Sequence, residues 1–451
     1  MDKRENIAIL GFGVEGKAML EWLKKHNYPN LTVCDRNVEI EAEMPEGVSV
    51  RLGEKYLENL SDFDTVIRSP GIRFLEPHIQ LAITQGVKII STTAMFFDVC
   101  PCPIIGVTGT KGKGTTSTLI YEMLKKNGED VYLGGNIGNP PVSFLDDLKG
   151  DSLVILELSS FQLQDLKKSP RYAVLLNTTE DHLDYHADID EYMRAKESLL
   201  AHQRKESVAV LNKDYPYVKY YAPLVKGHLK WVSRKEEVEN GGFVKEDRIF
   251  YARDGEIEKI ANVSEVALIG SHNLENVMPA LVIAKELGVS SEDIREVIKS
   301  FRGLPHRLEF SGEANGVKYY NDSYSTTPET SMAAVDSFDE PTVLIAGGYD
   351  KGLDYHEWAK KILTKESLRV VILVGDTADK MEKCLGEAKK IAEATPTEIV
   401  RCKNLTEAVT EASRKDCKVV VMSPASSSFD LYKNYKERGE KFKELVKNLG
   451  K

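Results

Sequence analysis

Residues 108–116 read Thr-Gly-Thr-Lys-Gly-Lys-Gly-Thr-Thr, between an apolar run (PIIGV) and a helical pattern. The backbone N–H groups of such a loop, with the positive end of the helix behind it, can cradle a polyphosphate. Gly109, Thr110, Lys111, Gly112, Lys113 and Gly114 would line that cradle, with Lys113 a point charge on the outer phosphates. The match to G-x-x-x-x-G-K-[ST] is imperfect, because Val107 holds the first glycine position and Gly114 stands where a hydroxyl is expected. Thr115 and Thr116 then follow one and two residues late, and either hydroxyl can hold Mg²⁺. The plainer alternative is a lysine-bearing turn. Further on, LVILELSSFQLQ places Glu157 after an apolar run, beside Ser159, Ser160 and Gln162, and YAVLLNTTEDHLDYH places Asp181, His182, Asp184 and His186 after the next. Mg²⁺ takes oxygen ligands and keeps waters, so Glu157, a threonine hydroxyl and phosphates make a sensible first site. His182 and its neighbours can serve a second ion or a substrate carboxylate.

The first glycine loop in chain order opens the chain. Gly11-Phe12-Gly13-Val14-Glu15-Gly16 matches G-x-G-x-x-G, and LTVCDR ends a later apolar run in Asp35. On spacing alone this is a dinucleotide fingerprint. Any strand-turn-helix needing close backbone approach also satisfies it. A nicotinamide-dependent oxidoreductase would leave the loop at 108–116, Lys196 and the last third of the chain without a role.

The elements that must position these groups are short apolar runs alternating with helical stretches, the pattern of parallel α/β sheets. IAIL, LTVCD, DTVIRS and KIIS form a first set; PIIGV, LVILELSS, YAVLLNTT and SVAVLN a second; KYYNDS, TVLIAGG, RVVILVG and KVVVMSP a third. Residues 228–268 read as small hairpins in or trailing the second set. The expectation is three α/β domains at 1–98, 99–303 and 304–451: Rossmann-like, P-loop ATPase-like and Rossmann-like. The polar clusters fall at the carboxyl ends of strands, where open parallel sheets bind ligands, and point to one shared site. At 451 residues, 42% hydrophobic and 29% charged, with a net charge of −10, the composition is that of a soluble globular protein. That charge argues against a general nucleic-acid grip, and no apolar run approaches a membrane span. The six cysteines are scattered apart from Cys100-Pro101-Cys102, which fits no zinc spacing, and read as reduced thiols of a cytoplasmic protein.

The ordered series GTKGKGTT, ELSSFQL, NTTEDHLDYH, YMRAK, GSHNLEN, LPHRLE, NDS, AGGYDK and SPASSSFD resembles the Mur ligases of peptidoglycan precursor synthesis. Within them it is most similar to the branch that adds D-glutamate to UDP-N-acetylmuramoyl-L-alanine, and the resemblance runs from Gly11 to the C-terminal helix. It implies that Gly11, Gly13 and Val14 hold the UDP part of a UDP-sugar, not NAD, with Asp35, Arg36, Ser69 and Gly71 near uracil and phosphates. The loop from Gly109 to Thr116 would bind ATP, with Asn276, Arg307 and Asp322 around adenine, phosphate and ribose. Thr115, Glu157, His182 and Lys196 would hold two Mg²⁺ ions, Lys196 as a carbamate that turns a cation into an anionic oxygen ligand. Asn136, Ser159, Gln162 and His182 would line the sugar-peptide centre. Thr326, Lys351, Ser428, Phe429 and Tyr435 would take the incoming glutamate. Lys113, His182, Lys196 and Asp322 would form the catalytic set.

The implied reaction is attack of a substrate carboxylate on the γ-phosphate of ATP, then of an amine on the acyl phosphate. The implied partners are small molecules only, with no nucleic acid or membrane, and a monomer. One departure is plain: the D-glutamate branch usually carries N-D-S-K-A-T-N where this chain has NDSYSTTPETS, so Tyr324 replaces a lysine. That loop, and the G-K-G-T form of the phosphate loop, leave open another Mur ligase or a folylpolyglutamate-type ligase with a different amino acid or acceptor. A non-catalytic nucleotide-binding protein is the remaining alternative, and the retained Glu157, Lys196 and Asp322 speak against it.

Overall fold

A computed structural model describes residues 2–136, 139–178, 188–391 and 396–449. Three sheets, of five, nine and six strands among the described residues, organise the chain. In the first, Ile7–Leu10 lies between Leu31–Asp35 and Thr65–Arg68, with Ser49–Leu52 and Lys88–Ser91 outside them, all parallel. Ile7–Leu10 and Thr65–Arg68 are buried throughout, as strands covered on both faces must be. Ser49–Leu52 (SVRL) is an edge strand whose mixed polarity hid it from pattern reading.

The second sheet places Ile104–Thr108 between Tyr172–Leu175 and Leu153–Glu157, with Val131–Gly135 at one edge. On the other side Val208–Asn212 and His228–Ser233 continue in parallel, and an antiparallel meander (Gly241–Lys245, Arg248–Arg253, Glu256–Asn262) extends the sheet. The hairpins expected over 228–268 are this meander, joined to the sheet rather than separate from it.

The third sheet is parallel except for Glu309–Ala314, which pairs antiparallel with Val317–Asn321; Val419–Met422, Thr342–Ala346, Leu368–Leu373 and Glu398–Arg401 follow in order. The architecture is therefore three α/β domains with mainly parallel sheets. Packing groups them into two compact units, Met1–Val266 with Leu274–Lys299, and Ala267–Asn273 with Ser300–Lys451. The first unit holds two sheets, and among its apolar clusters one runs from Ile7 and Met19 to Val154 and Leu199. In the second unit Trp358, Tyr355 and Leu385 pack one face of the sheet, and Phe442 and Val446 the other.

Candidate active site

The strand Ile104–Thr108 sits where the order of its sheet reverses, the position at which parallel sheets open a crevice. Its loop turns into the helix Lys113–Lys126 through Gly112, whose φ of 85° lies in the left-handed region. A Cβ at Gly112 would stand 2.1 Å from Asn276 Oδ1, so glycine is required there for both reasons. Asn276, near the start of the helix Leu274–Glu286, is thereby pressed against the loop, and Thr116 Oγ1 donates to its Oδ1 at 3.4 Å. The Lys113 ammonium donates to the Gly109 and Thr110 carbonyls, each at 2.9 Å. Its charge thus rests over the cradle that phosphate oxygens would fill. Thr110 is held from the far side by Tyr192, hydroxyl to hydroxyl at 2.9 Å.

Glu157 ends the neighbouring parallel strand, in register with Val107. It is buried; Asn136 Nδ2 donates to its Oε1 at 2.9 Å, while its Oε2 has no hydrogen-bond partner among the described residues. A buried carboxylate oxygen left unpaired is costly unless a cation meets it. The oxygen-donor set at this strand end thus fits a hard divalent cation. Lys196, in the helix Ile189–Glu197, is 1% exposed, with Nζ 4.2 Å from the Tyr192 ring centroid. Tyr192 therefore touches both Thr110 and Lys196, a link that spacing did not reveal. His182, with Asp181, Asp184 and His186, lies outside the described residues.

The first glycine loop differs in its chemistry. Gly11 has a φ of 88°, and a Cβ at Gly16 would fall 2.0 Å from the Gly11 carbonyl oxygen. Gly13 meets nothing, and it leads an open helix end with Val14 72% exposed. Asp35 accepts from the Phe12 N–H at 2.6 Å and the Asn37 N–H at 2.8 Å, so its carboxylate fastens the loop. Ser69 does the same from the next strand, its hydroxyl donating to the Gly11 carbonyl at 2.8 Å. Arg36 pairs with Glu54 at 2.9 Å on the surface, and Gly71 is open.

Sequence reading passed over Glu15. Its carboxylate accepts from Thr92 Oγ1 and, at 3.1 Å, from Gln162 Nε2. Burial pushes that carboxyl above the usual range. Gln162 also closes a capping box with Ser159, whose N–H donates to Gln162 Oε1 at 2.9 Å. Glu15 thus ties the first loop directly to the Ser159–Gln162 turn of the second sheet. Beside it the buried Arg68 meets Asp165 at 3.1 Å.

In the second unit, Asp322 follows the strand Val317–Asn321. Its carboxylate accepts from Ser423 Oγ at 2.7 Å and Leu308 N–H at 3.1 Å, and burial pushes it up to about 7. The Arg307 guanidinium lies over the Tyr324 ring at 3.9 Å, and Tyr324 meets Tyr435 edge-on at 5.0 Å. Tyr324 therefore covers a cation where a lysine would have added a second one. Lys351 reaches the exposed Phe429 ring at 5.5 Å; Ser428 is buried and Thr326 is half-buried.

Arg438, 4% exposed in the helix Tyr435–Leu449, holds this cluster together. It donates to Ser323 Oγ and O and to the Ser426 and Ser427 carbonyls, all at 3.0 Å. Desolvation lowers it to about 10, so it stays charged at neutral pH. Nothing in YKERGEKF separates it from the solvated charges around it, so sequence reading missed it.

Known proteins match along the whole chain. Residues 5–91 match the family described as Mur ligase MurD-like, N-terminal domain; 107–284 the Mur ligase middle domain; and 306–425 the Mur ligase glutamate ligase domain. A UDP-N-acetylmuramoylalanine--D-glutamate ligase of Acetivibrio thermocellus is 39% identical over 99% of this chain and 97% of its own length. One of the same name from Clostridium tetani is 38% identical over 99% and 97%. Among solved structures, a MurF ligase from Thermotoga maritima in complex with ADP aligns with a TM-score of 0.61 at 18% identity, over 98% of this chain and 95% of that one. The UDP-N-acetylmuramate-alanine ligase MurC of the same organism gives 0.59 at 18%, over 99% and 100%. These two show the shared three-domain fold.

Proposed function

The chain belongs to the Mur ligase family, and on that premise we propose that it joins D-glutamate to UDP-N-acetylmuramoyl-L-alanine at the expense of ATP, making a peptidoglycan precursor. The observation that carries this reading is the phosphate cradle beside the unpaired oxygen of Glu157, in a chain 39% identical over nearly its full length to a D-glutamate ligase. The proposed functional division assigns UDP-sugar to 1–98, ATP to 99–303, and amino acid with part of ATP to 304–451.

The substrate carboxylate attacks the γ-phosphorus of ATP, ADP leaves, and an acyl phosphate remains. The amine of the amino acid then adds to that carbonyl, loses a proton, and phosphate departs as the amide forms. This chemistry needs positioning and charge neutralisation more than a covalent nucleophile. The N–H groups from Gly109 to Thr116 bind the phosphates, and Lys113 swings from the Gly109 and Thr110 carbonyls to the outer phosphate. Asn276 supports the loop through Gly112; Arg307 and Asp322 serve phosphate and ribose. Glu157 and Thr115, with His182 and a carbamylated Lys196, are the residues to hold Mg²⁺, which supplies charge neutralisation to the phosphates when bound. The place of Lys196 in YMRAK, with its side chain against Tyr192, which in turn holds Thr110 of the phosphate loop, supports the modification. Lys351, Ser428, Phe429, Thr326 and Tyr435 receive the amino acid. Gly11, Gly13, Val14, Asp35, Arg36, Ser69 and Gly71 receive UDP, with Asn136, Ser159 and Gln162 toward the sugar-peptide.

We read the enzyme as a cytoplasmic monomer with no membrane partner. Its nucleotide substrates support the cytoplasm; separately, among the described residues no helix is long and apolar enough to cross a membrane. Light scattering in solution checks the mass.

The test is phosphate release from ATP with UDP-N-acetylmuramoyl-L-alanine and a panel of amino acids. Release with D-glutamate alone is expected. The second reading, a Mur or folylpolyglutamate-type ligase for another amino acid or acceptor, is favoured by one observation, Tyr324 over Arg307 in the lysine's place. Release with another member of the panel, or only after the UDP-sugar is exchanged, would select it.

A further inference from the structure

Asp354, His356 and Cys384 each offer one ligand atom, and the three atoms lie within 4.8 Å of one another. Asp354 and His356 stand at the start of the helix His356–Leu363, and Cys384 lies in the helix Ala378–Ile391, which packs against it. His356 Nδ1 is 2.5 Å from Asp354 Oδ1, and its Nε2 is 3.2 Å from Glu387 Oε2, one turn beyond Cys384. Cys384 is 4% exposed at the edge of the core, whereas Asp354 and His356 open to solvent.

We propose that this cluster is a site for a borderline-soft divalent cation of the Zn²⁺ class, with Asp354, His356 Nδ1 and Cys384 Sγ as ligands and water in the fourth position. Glu387 accepts from Nε2–H and holds the ring in place, while the metal takes the position of the proton that Nδ1 shares with Asp354, the carboxylate–histidine–metal arrangement. An ion pair alone explains a histidine between two carboxylates, but not the thiol. The Cys384 sulfur instead lies with the Asp354 and His356 ligand atoms inside one 4.8 Å cluster. Imidazole and thiolate also select against Mg²⁺, which prefers all-oxygen sites. Tetrahedral Zn²⁺ with bonds of about 2.0–2.3 Å draws its ligands closer than 4.8 Å, so binding opens the Asp354–His356 hydrogen bond and pulls Cys384 in. Uptake releases the thiol proton and the proton that Nδ1 shares with Asp354.

The site lies at the end of the loop that carries Lys351, which is already tied to the same helix by Asp350 and Lys380 at 3.6 Å. A bound cation would be a second tie on that loop. The site itself does not depend on what Lys351 binds.

The experiment uses the full-length protein, stripped with a chelator and titrated with Co²⁺ as a spectroscopic stand-in for Zn²⁺. One equivalent is expected to raise a thiolate-to-cobalt charge-transfer band that Zn²⁺ then displaces, with a rise in Tm on Zn²⁺ binding. His356→Gln, at an exposed position, and Cys384→Ser, close in volume, should each abolish the band. Weak d–d absorption without the charge-transfer band would mean that cobalt sits only at oxygen ligands and would overturn the proposal. So would a band that survives Cys384→Ser, which would belong to the Cys100–Cys102 pair, whose sulfurs are 3.7 Å apart.

Discussion

The two glycine loops of the first unit share a plan and oppose each other in charge. Each follows a buried parallel strand at the point where its sheet reverses order, and each starts a helix. The loop at Gly11 consumes its own donors: Asp35 takes the Phe12 N–H, and the Glu15 carboxylate is buried under the helix start. The loop at Gly109 carries a cation instead, with Lys113 donating to the Gly109 and Thr110 carbonyls. A spacing of glycines thus specifies a backbone shape. The charged side chains around that shape decide whether it draws a highly charged triphosphate or fits a nucleotide held partly by its base and sugar.

Replacing Lys113 breaks the contrast most severely. Lys113→Ala should lower phosphate release about 10³-fold, the scale for losing a group that stabilises transferring charge, while UDP-sugar binding measured by calorimetry is unchanged. Equal losses of both would make Lys113 a structural residue of the whole unit.

Glycine substitutions give smaller effects that separate shape from binding. Gly16→Ala sets a Cβ against the Gly11 carbonyl and should cost about 1–3 kcal/mol in urea unfolding. Gly13→Ala meets no atom and should leave stability within about 0.5 kcal/mol. It should still weaken UDP-sugar binding about tenfold, or about 1.4 kcal/mol, because phosphates must approach that open helix end.

Glu15 gives the smallest and most diagnostic effect. Its carboxyl is raised in the folded chain, so the native state holds that proton more tightly than the unfolded state does. Its contribution to stability is therefore greatest at low pH and falls as pH rises through the interval between its ordinary and raised values. In Glu15→Gln that decline should disappear, so the variant gains on the wild type as pH rises above the ordinary carboxyl range in denaturant titrations. A constant difference across that rise would show that Glu15 is not the group that titrates.

Much of this protein was legible in its residue order. Alternating apolar strands and helices with polar strand ends gave three mainly parallel sheets, because a strand covered on both faces must be apolar and a turn with positive φ or close backbone approach must be glycine. Gly11, Gly16, Gly109 and Gly112 carry that local requirement in their spacing. The ordered motifs gave the family for the same reason, each being a short segment at one strand end. Edge strands such as Ser49–Leu52 and Glu398–Arg401 were not visible, since half-exposed strands need no apolar pattern.

What only the tertiary structure decided lies between distant segments. Arg438 reaches Ser323 across 115 positions, Glu15 meets Gln162 across 147, and Thr116 meets Asn276 across 160. Such contacts follow from sheet register and from which helix covers which face, and a single charged or amide residue in a helix carries no sign of them. Sequence alone therefore determined the backbone cradles and the chemical groups on offer. Burial and long-range packing decided which of those groups are spent as structural ties and which are left to meet a ligand.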